Sequence, residues 1–316
     1  MTLADDYAAT TATADPSHQV LAPGVHAFVQ LDGGWGLSNA GLVCSDDAVV
    51  LVDTWFTERR NDALRRMVME TAPIAPTHLV NTHHHGDHTY GNGWFPEATI
   101  ISHEATREAV IALDAGASAR RFTTVDFGHI AHTPASVTFE KSLQLHAGQF
   151  TLDVLFPGIS HCVGNTVVFV REASVLFAGD ILLKGCTPAF VGGSALGYLE
   201  VLEGLRQLKP THVVPGHGAL CGAEVIDETE RYLRFVIESA RGALANGQSP
   251  LEAARGATLG EFEDWIDSER IVGNLYRTMR ELTTQSTGTP PSAPLDTHSM
   301  WRDTEAWLRR PLRSRA

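Results

Sequence analysis

At 316 residues, 43% of them hydrophobic, the chain has enough apolar material for one large α/β domain with additions or for two modest domains, and a disordered protein is excluded. A formal net charge of −13, with no basic stripe along the chain, argues against a surface that holds nucleic-acid phosphates. The four cysteines, Cys44, Cys162, Cys186 and Cys221, show no CxxC pairing and are too sparse to frame a small disulfide domain.

Residues 1–19 are rich in Ala, Thr and Asp and lack the basic start and apolar core of a secretory leader, so they read as a loose tail. No stretch is long enough to span a bilayer; a cytoplasmic protein without a membrane partner is expected. Residues 25–30, 37–44 and 48–53 read as strands joined by Gly- and Asp-rich turns, and 58–70 and 104–114 have helical periodicity. Residues 136–180 supply three or four strands, and 198–208 read as a helix before a strand at 212. The pattern then turns helical over 224–245, 251–255 and 268–282, with Ser249-Pro250 as an N-cap and first helical position. Residues 283–294 (TTQSTGTPPSAP) are a linker by composition, and Trp301 and Trp307 lie in a closing helical stretch expected to dock on the domain or to meet a second copy. The predicted division is a tail over 1–19, an αβ domain over 20–245, a helical extension over 246–283, a linker over 284–297 and a C-terminal helix and tail over 298–316.

The run His83-His84-His85-Gly86-Asp87-His88 follows the apolar stretch of residues 77–82 and places three imidazoles and a carboxylate, as His-x-His-x-Asp-His, on one tight loop. Neutral imidazole and carboxylate suit zinc and similar borderline metals. A solvated His-rich turn is the bland alternative, but similar contexts recur downstream. His161, Asp180 and His217 each follow a short β-type stretch and a Gly or Pro turn. Ligand sites of open sheets collect in loops at strand ends, so donors at four such ends imply one shared site. Residues 76–83 also align with 210–217 through shared Pro, Thr, His, Val and a final His, which suggests two similar halves.

This donor set resembles the metallo-β-lactamase superfamily over roughly residues 20 to 240. The resemblance implies an αββα sandwich with a helical C-terminal extension and a binuclear metal centre at one edge, most simply two Zn²⁺. Carried over by position, His83, His85 and His161 would hold one metal; Asp87, His88 and His217 would hold the other, and Asp180 would bridge them. Residues 161–165 resemble the family's His-Thr-x-x-Asn segment, with Cys162 in place of Thr. Such metals lower the pKa of bound water from ~15.7 to roughly 7 and so supply a hydroxide for attack on a carbonyl. Asp87 would act both as ligand and as the catalytic residue that orients the nucleophile or handles its proton.

Asp at position 180 resembles superfamily members that act on thioesters, lactones and esters more than the β-lactam-cleaving branches. His85 stands where the flavin-linked di-iron branch has a carboxylate. A mononuclear iron dioxygenase acting on a persulfide or thiol, and a β-lactam-type amide hydrolase, are the alternatives. Residues 33–41, 185–194 and the tail opening at 251–255 resemble the actinorhodin-type polyketide second-ring cyclase/thioesterases, which implies a small acyl or aromatic substrate held as a thioester. Trp35, Trp55, Phe56 and Phe190 are the expected apolar wall of the substrate pocket, and Asn165 is expected either to face the oxyanion or to fix its own loop.

Overall fold

The computed structural model describes residues 15–114, 116–284 and 287–316, so most of the expected N-terminal tail and residues 285–286 of the expected linker lie outside the described residues. Four strands, β1 (Ser17–Ala22), β2 (Val25–Val29), β3 (Ala40–Cys44) and β4 (Val49–Val52), form an antiparallel meander. The expected tail thus gives way to strand at residue 17, three residues early. Ser17 pairs opposite Val29, but the side chains of residues 17–20 are exposed, so no hydrophobic signal marked them.

Helix α1 (Glu58–Thr71) buries Leu64 and Val68, one turn apart, and ends just before Pro73. It leads to β5 (His78–Val80), parallel to β4. The short α2 (Gly86–Thr89), β6 (Thr99–His103), α3 (Glu104–Ala112), α4 (Ala117–Arg121) and β7 (Val137–Phe139) complete a first sheet of seven strands in chain order. The second sheet contains β8 (Ser142–Ala147), β9 (Phe150–Leu155), β10 (Val167–Val170), β11 (Val175–Lys184) and β12 (His212–Gly218), in the order β12-β11-β10-β9-β8. Helix α5 (Ala195–Leu208) makes the crossover that sets β12 parallel to β11.

Period-two alternation decides what each strand packs against. In β4, Val50 and Val52 face the second sheet, while Val49 and Leu51 join Leu64 and Val68 of α1. In β11, Val175 and Phe177 meet the first sheet, while Leu176 and Ala178 meet Tyr198 and Leu202 of α5. The result is two packed sheets with helices outside, the expected αββα sandwich.

Three helices follow the sandwich: α6 (Glu224–Ala245), α7 (Pro250–Gly256) and α8 (Arg270–Thr284). Ser249 and Glu252 form a capping box at α7, with Pro250 inside it. Helix α9 (Thr297–Leu308) is capped by Asp296 and docks on the domain, with Met300 buried and the Trp307 indole donating to the Ala254 carbonyl at 3.3 Å. Among the described residues no helix is long and apolar enough to cross a membrane.

Candidate metal centre

The loop leaving β5 carries His83 and His85 and runs into α2, which holds Asp87 and His88. His161 lies in the loop after β9. Asp180 and His217 are not in loops beyond their strands, as the sequence suggested. Both lie inside longer strands, β11 and β12, whose pairing register is broken on either side of Gly179. Gly179 takes a φ of 51°, which permits a bulge where a strand end was expected. His83, in the loop just past β5, and His217, in β12, are the last residues of the aligned segments, and both strands have a parallel neighbour.

The donors fall into two groups, His83, His85, His161 and Asp180 in one and Asp87, His88 and His217 in the other, with the donor atoms of each group within 4.8 Å of one another. His85 Nδ1 lies 3.0 Å from both His83 Nε2 and His161 Nε2. Asp180 touches both groups. Its Oδ2 is 3.9 Å from His83 Nε2 and 3.7 Å from His161 Nε2, while its Oδ1 is 3.1 Å from His88 Nε2 and 3.4 Å from His217 Nε2. Asp87 Oδ2 lies 3.3 Å from His217 Nε2.

Hydrogen bonding within this cluster is incomplete. His88 Nε2 and Asp180 Oδ1 are buried and 3.1 Å apart, yet among the described residues neither has a well-directed hydrogen bond. Buried polar atoms are normally satisfied. Seven buried or part-buried N and O atoms in two compact sets, some of them without a well-directed partner, face a common volume and fit divalent cations of the zinc type.

Burial, reinforced by neighbouring imidazoles, holds His83 and His85 well below the ordinary histidine pKa, and burial likewise lowers His161. All three therefore present lone pairs at neutral pH. In the second group burial opposes charge, but the carboxylates outweigh it. Asp180, Asp53 and Asp87 raise His88 well above its usual range, and Asp180 and Asp87 raise His217 to about 9. Burial would raise both Asp180 and Asp87, but His88 and His217 hold both carboxyls below the usual range.

His88, His161 and Asp87 are braced from behind, whereas the buried His217 Nδ1 has no partner among the described residues. Asp53, at φ 62°, accepts hydrogen bonds from the Thr82 backbone at 2.7 Å and the Thr82 hydroxyl at 2.6 Å, and lies 2.8 Å from His88 Nδ1. His161 Nδ1 rests against the Ala189 carbonyl, and the Ser38 hydroxyl donates to the Asp87 carbonyl. Asn81 and Thr54 donate to the His88 carbonyl at 3.0 and 3.1 Å. Asp53 was not singled out in the sequence, where it is one more residue ending an apolar strand. Asp53→Asn is expected to lower metal affinity by about 10–100-fold, the usual effect of losing a partner that orients a ligand, as read by chelator competition.

A cavity of about 340 Å³ opens over the donors, lined by His85, Asp87, His161, Asp180 and His217 at its floor and by Trp35, Phe56, Phe122, Met300 and Trp301 among its walls. The size falls within the roughly 300–1,000 Å³ of small-molecule sites. Trp35 and Phe56 are on the cavity, as the sequence suggested; Trp55, Phe190 and Asn165 are not. Trp55 is fully buried against Phe28, Leu51 and Leu64 on the helix side of the first sheet. Phe190 packs into the core beside Tyr198, leaving its neighbours Ala189 and Val191 on the cavity. Asn165 donates to the Gly158 and Cys162 carbonyls and the Ser160 hydroxyl, so it fixes the loop that carries His161. Cys162 is buried, with its thiol directed to Asn165. His103 caps α3 and meets the Glu140 carbonyl, away from the donors.

A sandwich that gathers imidazoles and carboxylates from loops and strands beneath a largely apolar cavity is the build of a metal-dependent hydrolase. The chain belongs to the metallo-β-lactamase superfamily, whose family description matches residues 33–217, more than half of its length. It is 25% identical over 235 residues to a type 2 metallo-β-lactamase of Bacteroides fragilis, covering 71% of this chain and 88% of that protein. It is 28% identical over 180 residues to the alpha subunit of 2,4-dinitroanisole O-demethylase of Nocardioides sp. strain JS1661, covering 54% of this chain and 50% of that one. Its fold matches a metallo-β-lactamase from Pontibacter korlensis with a TM-score of 0.57 at 19% identity, over 69% of this chain and 99% of the other.

Proposed function

We propose that the protein is a hydrolase with two divalent cations, most simply Zn²⁺, in this cradle, acting on the thioester or ester of a flat acyl group. The observation that carries this reading is the contact of Asp180 with both donor groups under a cavity walled by aromatic rings. His83, His85 and His161 would hold one cation, Asp87, His88 and His217 the other, with Asp180 between them. Bound there, the cations would supply Lewis acidity and an activated water.

The chain's own contribution is orientation and exclusion. Asp87 lines the cavity and stays ionised, so its carboxylate accepts a hydrogen bond from the attacking water and points the oxygen lone pair at the carbonyl. The walls of Trp35, Phe56, Phe122 and Trp301 flatten the acyl group and keep bulk water out. An aromatic polyketide thioester suits such walls, which supports cyclase/thioesterase chemistry of the second-ring type. The Nocardioides relative is by name a demethylase of 2,4-dinitroanisole, itself a flat aromatic. Four free cysteines suit a reducing compartment and support a cytoplasmic location.

The test is a substrate panel of aryl thioesters, aryl esters, lactones and β-lactams with zinc-reconstituted protein. A thioester or ester is expected to turn over fastest, and activity is expected to vanish on chelation. A β-lactam as best substrate, or turnover only with iron and oxygen uptake, would replace this proposal with one of its two alternatives.

Metal loading should also depend on pH with a defined sign. His88 and His217 hold protons at neutral pH that a cation must displace, whereas His83, His85 and His161 do not. Affinity at the Asp87, His88 and His217 group is therefore expected to rise with pH by about tenfold per unit for each proton released, up to the pKa values of those groups. Calorimetric zinc titrations from acid to alkaline pH should show this group emptying first as pH falls; simultaneous loss from both groups would contradict the assignment.

A further inference from the structure

One wall of the cavity is a ladder of cations and indoles. The Arg270 guanidinium lies 4.1 Å from the centre of the Trp35 ring, and Trp35 meets Trp301 edge-on at 6.2 Å. The Arg121 guanidinium lies 3.6 Å from the centre of the Trp301 ring. All four residues line the cavity. They come from distant parts of the chain: the loop before β3, the end of α4, the start of α8 and the body of α9.

The two guanidinium groups are not equally satisfied. Arg270, 5% exposed, donates to the Thr187 carbonyl at 2.9 Å and to Asp267 at 2.8 Å, but its Nε has no partner among the described residues. Arg121 is half-buried and, among the described residues, makes neither a hydrogen bond nor an ion pair. Glu305 reaches it only through its field. Desolvating a guanidinium without giving its N–H groups acceptors is costly, and stacking on one indole satisfies none of them. Arg121 also borders the surface hollow with His298, Arg302 and Glu305, so it sits at the rim of the cavity, away from the donor floor.

We propose that this wall selects an aromatic acyl substrate that carries a carboxylate remote from the carbonyl under attack, with Arg121 binding the carboxylate and the Trp35 and Trp301 indoles receiving the ring. Phe122, 5.9 Å from Trp35, adds a further aromatic face. Arg270 supplies fixed positive charge deeper in the same wall, held by Asp267 against rotation. Attack at the carbonyl rests on the hydrolase reading above; recognition of the anion does not.

The test titrates the full-length, zinc-loaded protein with naphthalene-2-carboxylate and with its neutral amide, following indole fluorescence. The parent is expected to bind the carboxylate about tenfold to a hundredfold more tightly, as a charge-assisted hydrogen bond would give. Arg121→Gln is expected to bring the carboxylate down to the affinity of the amide. Arg121→Lys, which keeps the charge without the fork, should fall between, and it serves as the reporter if the Gln variant melts early. If the Gln variant binds the carboxylate as tightly as the parent, the anion is held by the metal cradle and the proposal fails. It also fails if the parent does not distinguish the two probes. If no thioester or ester in the panel is turned over but the Arg121-dependent preference remains, the hydrolase reading falls and anion recognition stands. Turnover without that preference keeps the hydrolase and removes the anion site.

Discussion

Asp180→Asn is expected to abolish the proposed pairing of cations in the donor cradle. The substitution keeps shape but removes the charge that faces both donor groups, His83 and His161 on one side and His88 and His217 on the other. Its effect should exceed the roughly 10–100-fold that follows loss of a partner behind a ligand. Metal analysis after dialysis should read well under two zinc equivalents per chain, with activity falling in parallel. A variant that retained two equivalents and parental turnover would remove Asp180 from the centre. An unchanged circular dichroism spectrum would show that the loss is local.

The second large effect is expected at a residue with no side chain. Gly216 lies against the bulge of β11, where an added Cβ would meet the Gly179 carbonyl carbon at 2.6 Å and press closer still on Asp180 Oδ1. Two of the three nearest atoms, the Gly179 carbonyl carbon and the Asp180 backbone nitrogen, are backbone, so the strand itself must shift. Gly216→Ala is therefore expected to cost about 1–3 kcal/mol, the usual range for overpacking, and to displace Asp180 from its position between the donor groups. The expected signature is a Tm lowered by several degrees together with lost metal. A variant with parental Tm and full zinc content would show that β11 and β12 part more easily than their packing implies.

The donors were legible in the sequence because chemistry and context coincided. Few reasons other than metal binding put imidazoles and carboxylates after four separate apolar runs, and the structure brings all those positions to one place. The sandwich was legible through the alternation of residues such as Val49 to Val52, whose two faces meet different layers. The cavity wall was not. Trp55 follows Asp53, whose positive φ turns the chain so that the indole goes to the helix side, and no local pattern announces that reversal. Phe190 and its neighbours Ala189 and Val191 differ only in which way the loop presents them. Arg121, Arg270 and the Met300-Trp301 pair lie too far apart in the chain for any motif to join them; they meet because α9 docks. Gly179 looked like a terminator because glycine is depleted in strands, although inside one it often marks a bulge.

The docking of α9 completes the cavity from beyond the segment that carries the donors. Everything that would grip a cation lies within residues 33–217, the part shared with the family, whereas Arg270, Met300 and Trp301 come from the stretch beyond it. Trp35, Phe56, Arg121 and Phe122 supply the facing side of the same wall from within residues 33–217, so the C-terminal annex closes a hollow that the shared scaffold leaves open on one flank.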